Sequence, residues 1–235
     1  MHAIILAGGT TPDLPTATKA DLPIAGRPMV ELVAQALTSV PLLQKVTVVR
    51  ESGSLTDNLQ LAVSRLQRPD DEYLLVSACD IPFLTPEAVE HFLRACQPGC
   101  DLYYPVVERR LCEERFPGVK RTCVRLQDGT FTGGNLFLLR VGAWPDLYAW
   151  INRLYPKRKS PLALAGELGF GLTLRFLWSS LFGTLSIAEL ERRAARLTGL
   201  RMKAVISPYP EIGTDIDKPE DLPLVSGFRV AQDLS

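Results

Sequence analysis

The feature that most constrains the fold is a short apolar strand that runs directly into a pair of glycines. Residues 3–6 are apolar, and Ala7, Gly8 and Gly9 follow them without a break. Glycine lets a backbone turn tightly and approach a ligand closely, and the exposed amides of such a turn suit a phosphate. The turn matches neither G-x-G-x-x-G nor the P-loop pattern, and turns of this kind also form for packing reasons alone.

A lysine and a second glycine turn come after this loop. Lys19 lies in a Thr-Lys-Ala-Asp-Leu-Pro stretch, and residues 26–29 then open a predicted helix. Pro28 falls in the first turn of that helix, where proline is tolerated. The order of strand, glycine loop, lysine and helix predicts an α/β protein that binds a ligand near its first turn.

Two acidic segments lie further along the chain. Apolar residues 74–76 predict a strand that ends near Asp80, and a proline then stops it. In open parallel sheets ligands collect at the carboxyl ends of strands, so a carboxylate there can hold a metal ion that carries substrate phosphates. In the second segment, residues 213–222, Asp215 and Asp217 share one face of an extended stretch. Each segment alone also fits a turn or helix-capping role.

Taken together, these segments resemble the MobA-like nucleotidyltransferase family, to which molybdenum cofactor guanylyltransferases belong. The resemblance covers nearly the whole chain in the family's order. The segments that carry it are residues 6–9, 19–29, 77–86 and 214–222. It implies a Rossmann-like, mixed but mainly parallel sheet flanked by helices, of the nucleotide-diphospho-sugar transferase (GT-A) type. It also implies a nucleoside triphosphate at the glycine loop, Lys19 on the phosphates, and Mg²⁺ held by Asp80 and Asp217.

The loop after the second predicted strand is where we expect the nucleotide base. Residues 46–49 predict this strand, and the loop after it offers Gly53, Ser54 and Asn58. Ser54 equally fits an N-cap, because an apolar stripe at helical spacing follows it. The predicted nucleotide-binding residues are Leu6, Ala7, Gly8, Gly9, Lys19, Gly53, Ser54 and Asn58.

The middle of the chain supplies candidates for an acceptor site. A strand is predicted over residues 123–126, and a glycine pair precedes a further apolar strand. By the resemblance this region lines the acceptor side, where glycine permits close approach and cations can bind a phosphate. The candidates are Lys120, Arg121, Gly133, Gly134 and Asn135. The alternative is a hairpin-like turn at the glycines, with both cations solvated.

The first loop departs from the family pattern. Family members usually carry an arginine shortly after the glycine pair, whereas residues 10–18 contain no Lys or Arg and include Asp13. Because phosphoryl transfer relies on positioning and charge neutralisation, this loss predicts slower turnover or weaker triphosphate binding unless Arg27, Lys120 or Arg121 compensates. It also leaves open a protein that binds a nucleotide without turning it over.

Composition argues against several function classes. The 235 residues carry 26 Lys+Arg and 26 Asp+Glu, so there is no electrostatic footprint for nucleic acid or an anionic membrane surface. Five cysteines without C-x-x-C spacing, and no secretory signal pattern, predict reduced thiols in the cytoplasm. The two histidines fit no Ser-His-Asp or zinc pattern. A phosphate acceptor is already an anionic nucleophile and needs no such base.

Hydropathy patterning favours a single domain over residues 1–235, with a helical insert at residues 143–200 before the last strand. Within the insert, residues 170–185 are apolar, but an arginine and two glycines make a membrane span a poor interpretation. This stretch either packs over the sheet or forms a homodimer surface. Ser186 and Glu189 then predict a capping box at the start of the next helix.

These observations predict a Mg²⁺-dependent nucleotidyltransferase that moves a nucleoside monophosphate from a triphosphate to a phosphorylated small-molecule acceptor and releases pyrophosphate. Lys19, Asp80 and Asp217 are its predicted catalytic residues. Two alternatives stay open, a glycosyltransferase that uses a nucleotide sugar and a catalytically weak nucleotide-binding regulator. The sequence fixes neither the base nor the acceptor.

Overall fold

A mixed sheet of eight strands organises the chain. The computed structural model describes residues 1–8, 18–50, 55–66, 68–154 and 184–216. The strands are β1 (His2–Leu6), β2 (Pro23–Ile24), β3 (Arg27–Pro28), β4 (Lys45–Val49), β5 (Tyr73–Ala78), β6 (Leu102–Glu108), β7 (Cys123–Leu126), β8 (Gly129–Gly133), β9 (Leu136–Arg140) and β10 (Met202–Ser207). The main sheet has the order β4-β1-β5-β9-β6-β8-β7, with β10 paired to β6, while β2 and β3 form a small sheet of their own.

The pairings make this sheet mainly parallel, as predicted. β1 runs parallel to both β4 and β5, and β10 runs parallel to β6. β9 is antiparallel to β5 and β6, and β8 is antiparallel to β6 and β7. Of the strands described in this sheet, β8 and β9 therefore run against the rest. The carboxyl ends of β1, β4, β5 and β6 meet at one edge, where ligands of such sheets collect.

Helices connect the strands and cover both faces of the sheet. They are α1 (Met29–Thr38), α2 (Leu55–Leu66), α3 (Pro86–Ala95), α4 (Arg109–Arg115), α5 (Trp144–Leu154) and α6 (Ile187–Thr198). Short 3₁₀ turns lie at Lys19–Asp21, Val141–Ala143 and Pro210–Gly213. The predicted cap of α6 is confirmed, because the Ser186 hydroxyl accepts a hydrogen bond of 3.2 Å from the Glu189 amide. None of the helices in the described residues has the length and apolarity to cross a membrane.

The core has one layer on each face of the sheet. On one face, α1 and α3 pack Val33 and Phe92 against Ile5 of β1. On the other face, α2 and α5 pack Leu59 and Trp144 against Ile4. The side chains of β1 are buried on both faces, which explains why its sequence is apolar throughout rather than alternating.

A smaller apolar group, here called the satellite cluster, lies outside these two layers. Its buried members are Leu22, Ile24, Met29, Leu32, Phe83, Phe116 and Ile216. They come from four separate parts of the chain, and each part also carries a predicted site residue. The Phe83 and Phe116 rings pack with their centroids 5.2 Å apart. The cluster therefore fixes the loops around the site relative to one another.

One local prediction needs correction, and one alternative is excluded. Pro28 does not lie in the first helical turn, because it is still extended in β3 and α1 begins at Met29. A tight turn with positive φ at Ala25 (51°) and Gly26 (81°) joins β2 to β3, and such turns match the twist of the paired strands. The alternative of a hairpin-like turn at Gly133 and Gly134 is wrong, since the flanking strands β8 and β9 both pair with β6 and not with each other.

The predicted helical insert is described in part. α5 begins at Trp144 and α6 ends at Thr198, within the predicted bounds of 143–200. Residues 155–183, which include most of the apolar stretch predicted to cover the sheet or form a dimer surface, lie outside the described residues.

A buried ion pair ties three strands together at the edge opposite the site. Asp101, which is 4% exposed and directly precedes β6, accepts hydrogen bonds of 2.9 and 2.7 Å from Nε and Nη2 of Arg140 at the end of β9. It also accepts one of 2.7 Å from the amide of Arg201, which precedes β10. Burial by itself raises the pKa of Asp101, but these donors outweigh it and hold the pKa below its ordinary value.

Candidate active site

The first glycine turn begins at the carboxyl edge of the sheet. Leu6 and Ala7 are buried, so their side chains belong to the core and only their backbone can face a ligand. The Ala7 amide donates a hydrogen bond of 2.8 Å to the Val49 carbonyl at the end of β4. Gly8 is the last described residue of the turn, and Gly9 lies outside the described residues.

The two charged residues predicted from separate motifs meet at this edge. Nζ of Lys19 lies 2.6 Å from Oδ2 of Asp80, and the two side chains are only 15% and 18% exposed. The other carboxylate oxygen of Asp80, Oδ1, is buried and has no hydrogen-bond partner among the described residues. A buried carboxylate oxygen without a donor is costly, because its desolvation is not repaid, unless a cation reaches it.

The second acidic segment arrives beside Asp80. The Ile216 amide donates a hydrogen bond of 2.9 Å to the Asp80 carbonyl, and the Ile216 side chain is buried in the satellite cluster. Asp217 is the next residue along the chain and lies outside the described residues. In the part of the chain that the structure describes, no three His, Cys, Asp or Glu side chains group as metal ligands. Mg²⁺ commonly binds through one or two carboxylates and substrate phosphates, so Asp80 is the described residue that could hold it.

The thiol next to Asp80 is not a nucleophile. Cys79 is buried, and burial, reinforced by the negative charge of Asp80, raises the pKa of its thiol to about 12. A thiol of that pKa stays protonated at neutral pH, whereas thiolate is the reactive form. Cys79 therefore acts as a small apolar residue of the core, as the sequence suggested.

Arg50 brings a cation to the same edge, directly after β4. Its Nη1 lies 2.7 Å from Oδ1 of Asp21, with 49% of the arginine side chain exposed. Asp21 also accepts a hydrogen bond of 2.6 Å from the Thr18 hydroxyl. The Thr18 hydroxyl and then Arg50 lower the pKa of Asp21. Sequence reasoning named Arg27, Lys120 and Arg121 as compensating cations and not Arg50, because the contact of Arg50 with the lysine segment depends on the β1–β4 pairing.

The predicted acceptor residues border a cavity of about 560 Å³. Lys120, Arg121, Gly133 and Asn135 line it, while Gly134 lies behind its wall. The backbone of Asn135 is fixed on both sides, since its amide donates to Ile212 (2.9 Å) and its carbonyl accepts from Ala78 (2.8 Å). Its side-chain amide hydrogen-bonds to no described residue, so it can serve a ligand.

Close packing accounts for both glycines of the pair. A Cβ on Gly134 would lie 2.6 Å from Cγ2 of Ile212 and 2.7 Å from Cγ of Pro105, closer than real Cβ contacts. A Cβ on Gly133 would overlap the hydroxyl of Tyr104. Gly134 thus brings β6 and the 3₁₀ turn at 210–213 together, and Gly133 lets the Tyr104 ring lie over the cavity wall.

Arg121 has a structural as well as a lining role. Its Nη1 donates to the Val119 carbonyl (3.1 Å) and its Nη2 to the Thr214 hydroxyl (2.9 Å), while Nε is buried and bonds to none of the described residues. These bonds attach the loop before β7 to the second acidic segment. Lys120 is exposed and forms no hydrogen bond or ion pair with the described residues, so it is the more available of the two cations.

Sequence reasoning missed four polar residues of the cavity, namely Tyr104, Thr122, Thr132 and Asp215. The pKa of Tyr104 is raised by burial and then by the nearby charge of Asp215. Asp215 belongs to the second acidic segment, but the sequence predicts a metal-binding role only for Asp217, two residues later. Nothing in the alternating residues of β6 distinguishes Tyr104 from a surface residue of a strand.

The residues predicted to contact the nucleotide base are only partly described. Gly53 and Ser54 lie outside the described residues. Asn58 lies early in α2 and is 2% exposed. The apolar stripe that predicted α2 does pack against the sheet, through Leu59 and Ala62.

Comparison with known proteins gives a family and a fold. The model of the MobA-like NTP transferase domain matches residues 3–162. A hypothetical transferase from Thermus thermophilus is 38% identical, with 94% of this chain and 100% of that chain covered and a TM-score of 0.82. No curated protein matches the sequence.

Two more distant solved structures share the fold. A CMP:2-keto-3-deoxy-manno-octonic acid synthetase complexed with CTP is 14% identical, with 96% of this chain and 97% of that chain covered and a TM-score of 0.60. A 2-C-methyl-D-erythritol 4-phosphate cytidylyltransferase from Thermus thermophilus is 13% identical, with 96% of each chain covered and a TM-score of 0.55. The chain thus belongs to the MobA-like NTP transferase domain family, and it is an enzyme of the nucleotidyltransferase class.

Proposed function

We propose that this enzyme transfers a nucleoside monophosphate from a triphosphate to a phosphorylated small molecule, with Mg²⁺, and releases pyrophosphate. The observation that carries the proposal is what surrounds the two carboxylate oxygens of Asp80. One of its carboxylate oxygens pairs with Lys19 at 2.6 Å, and the other is buried and meets no hydrogen-bond donor in the part of the chain that the structure describes. A cation at the second oxygen would satisfy it, and a nucleotide phosphate is the usual further ligand of such a cation.

The chain's own residues supply positioning and charge. Lys19 lies where its ammonium group can neutralise a phosphate, and the backbone amides after β1 can hold phosphate oxygens. Asp80 and Asp217 would hold Mg²⁺, which when bound polarises the α-phosphate and lowers its charge. Asn135 and Lys120 would orient the acceptor phosphate toward the nucleotide, since both border the cavity next to this edge.

No side chain needs to act as a general base in this scheme. The attacking phosphate oxygen of the acceptor is already anionic near neutral pH, so transfer requires alignment and charge neutralisation. The bond formed joins the acceptor oxygen to the α-phosphorus, and the bond broken joins that phosphorus to the leaving pyrophosphate.

The test is pyrophosphate release by the purified enzyme with Mg²⁺, each of the four common triphosphates and a panel of phosphorylated alcohols, sugars and pterins. Replacing Asp80 with Asn keeps the shape and removes the charge. We expect acceptor-dependent release to fall by about a hundredfold or more, because metal-ion stabilisation supplies several kcal/mol to such reactions. Asp146→Asn, an exposed aspartate in the first turn of α5, is the matched control and should keep full activity.

Full activity of Asp80→Asn would overturn the proposed role of that carboxylate. Transfer from a nucleotide sugar without pyrophosphate would instead establish the glycosyltransferase alternative. Tight triphosphate binding without any product from the panel would favour the regulator alternative, with the arginine-free first loop as its physical basis.

A further inference from the structure

We propose that the acceptor is a phosphomonoester whose body is apolar, an alkyl or aryl phosphate rather than a phosphorylated polyol. This inference rests on the proposed function, since it names the acceptor class of the same site. Its basis is the separation of polar and apolar residues in the cavity between β6, β7, β8 and α6.

An apolar wall runs along the cavity and extends away from Asp80, with Val106 at its near end and Leu126 at its far end. Its residues are Val106, Val124, Leu126, Phe131 and Leu190. Three consecutive strands contribute to it, because Val106 pairs with Gly133 across β6 and β8, and Phe131 pairs with Val124 across β8 and β7. Paired residues point to the same face of a sheet, so this wall is continuous. Leu190 of α6 closes it from the side.

The polar residues gather at the other end of the cavity, next to Asp80. Asn135 is bonded through its carbonyl to Ala78, two residues before Asp80, and Asp215 directly precedes Ile216, whose amide binds Asp80. Lys120 is at this end as well, because the neighbouring Thr122 carbonyl accepts a hydrogen bond of 3.1 Å from Thr132 near the end of β8. A phosphate therefore fits beside Asp80, and the rest of the acceptor points away from it.

The direction of β8 sets the length of the apolar part. β8 runs from Gly129, which pairs with Leu126, to Gly133 beside Asn135. Four steps along a strand correspond to about 13 Å, so the apolar wall extends that far from the polar end. The cavity volume of about 560 Å³ lies within the range of small-molecule sites. An elongated apolar body of this length fits the space.

A polyol body is a poor match for the apolar wall. Its hydroxyls would lose water and meet no donors or acceptors on the side chains of Val124, Leu126 and Leu190, and buried polar groups without partners are costly. The hydroxyl of Thr132, which lines the cavity, already donates to the Thr122 carbonyl. Apolar groups placed there gain from leaving water.

The test compares two phosphomonoesters of similar size, 4-phenylbutyl phosphate and ribitol 5-phosphate. Binding of each to the full-length enzyme is measured calorimetrically with Mg²⁺ and a non-hydrolysable triphosphate analogue present. We expect 4-phenylbutyl phosphate to bind at least about tenfold more tightly, since several methylene equivalents leave water. Binding needs no turnover, so a failure of catalysis and a failure of this inference give different results.

Val124→Asn places an amide in the apolar wall without a large change in volume. It should reduce the preference for 4-phenylbutyl phosphate to about two- to threefold while leaving the affinity for ribitol 5-phosphate unchanged. Leu190→Asn on α6 is a second variant, used in case the first does not fold. Ile206→Asn is the matched control, because Ile206 is an apolar residue on β10 that is 55% exposed and does not line the cavity.

Equal affinities for the two phosphates, tighter binding of ribitol 5-phosphate, or no binding of either would overturn the inference. An equal loss of affinity for both phosphates in Val124→Asn would also overturn it, since that result reports general damage rather than a lost apolar contact.

Discussion

At the residue scale, Arg50 brings to the site edge a positive charge that the first loop lacks. The loop sequence between Gly9 and Lys19 contains no Lys or Arg, whereas Arg50 follows β4 at the same edge and is held by Asp21. Half of its side chain is exposed, and exposed ion pairs add little to stability. The guanidinium is therefore available to bind a triphosphate, at small cost to the fold.

Replacing Arg50 with Ala should raise the KM for the triphosphate about tenfold, the equivalent of one hydrogen bond to a charged group. The melting temperature should change little, because the ion pair is exposed. Steady-state kinetics with saturating acceptor measure the effect. Arg125→Ala, an exposed arginine on β7, is the control and should leave KM unchanged. An unchanged KM in Arg50→Ala would show that this arginine serves only Asp21.

Sequence reasoning reached the residues that belong to short motifs and missed those placed by pairing. Lys19 and Asp80 were named from separate segments, and the structure brings them within 2.6 Å. Tyr104 could not be predicted, because its place in the cavity depends on strand pairing. Gly133 of β8 pairs with Val106, two residues after Tyr104 on β6, and leaves room for the Tyr104 ring. Local patterns identify a residue's type of chemistry, whereas strand register decides which residues share a cavity.

At the scale of elements, apolar patterning predicted β1, β4, β5, β7 and β9, whereas β6 and β8 of the main sheet received no prediction. The apolar stripe after residue 54 predicted α2, and the Ser-x-x-Glu pattern predicted where α6 begins. The small β2–β3 pair was missed because its strands have two residues each and no alternation to detect. The passage from β8 to β9 at Gly134 was ambiguous, since a glycine pair indicates a turn and a close approach equally.

Asp101 joins three elements, and its removal should weaken all three connections. We expect Asp101→Asn to lower the free energy of unfolding by about 2–3 kcal/mol at pH 7, because the Arg140 guanidinium loses a charged partner. Urea unfolding followed by circular dichroism measures this loss. Glu113→Gln, which removes an exposed ion pair with Arg109, is the control and should have little effect.

The stability lost in Asp101→Asn should depend on pH. The pKa of Asp101 is lower in the folded state than its ordinary value of 3.8, so its stabilisation is full above that value. As the pH falls through the folded-state pKa, the carboxylate is protonated and the stabilisation is lost. The difference in free energy of unfolding between wild type and Asp101→Asn should therefore become smaller below about pH 4. A gap that stays constant to acid pH would contradict the ion-pair explanation.

At the scale of the whole molecule, the proposed site is built from parts of the chain that only the fold brings together. The glycine turn follows β1, the lysine segment leads into the satellite cluster, and Asp80 follows β5, with residues 213–216 beside it. The family resemblance reached this arrangement because the motifs occur in the right order. The apolar character of this cavity could not be predicted, since it depends on which residues of β6, β7 and β8 share one face of the sheet.

A ligand that contacts all of these parts should stabilise the whole fold. At a concentration about 100-fold above its Kd, a triphosphate with Mg²⁺ contributes about 2.7 kcal/mol, which for a chain of this size corresponds to a rise in melting temperature of roughly 5–10 °C. Differential scanning fluorimetry with each triphosphate, with and without Mg²⁺, measures the shift and identifies the preferred base before any acceptor is known. Asp80→Asn should lose the Mg²⁺-dependent part of the shift and keep the part that Lys19 and the backbone amides provide. If Mg²⁺ adds the same shift to wild type and to Asp80→Asn, the metal binds elsewhere, and the unpartnered oxygen of Asp80 serves another cation.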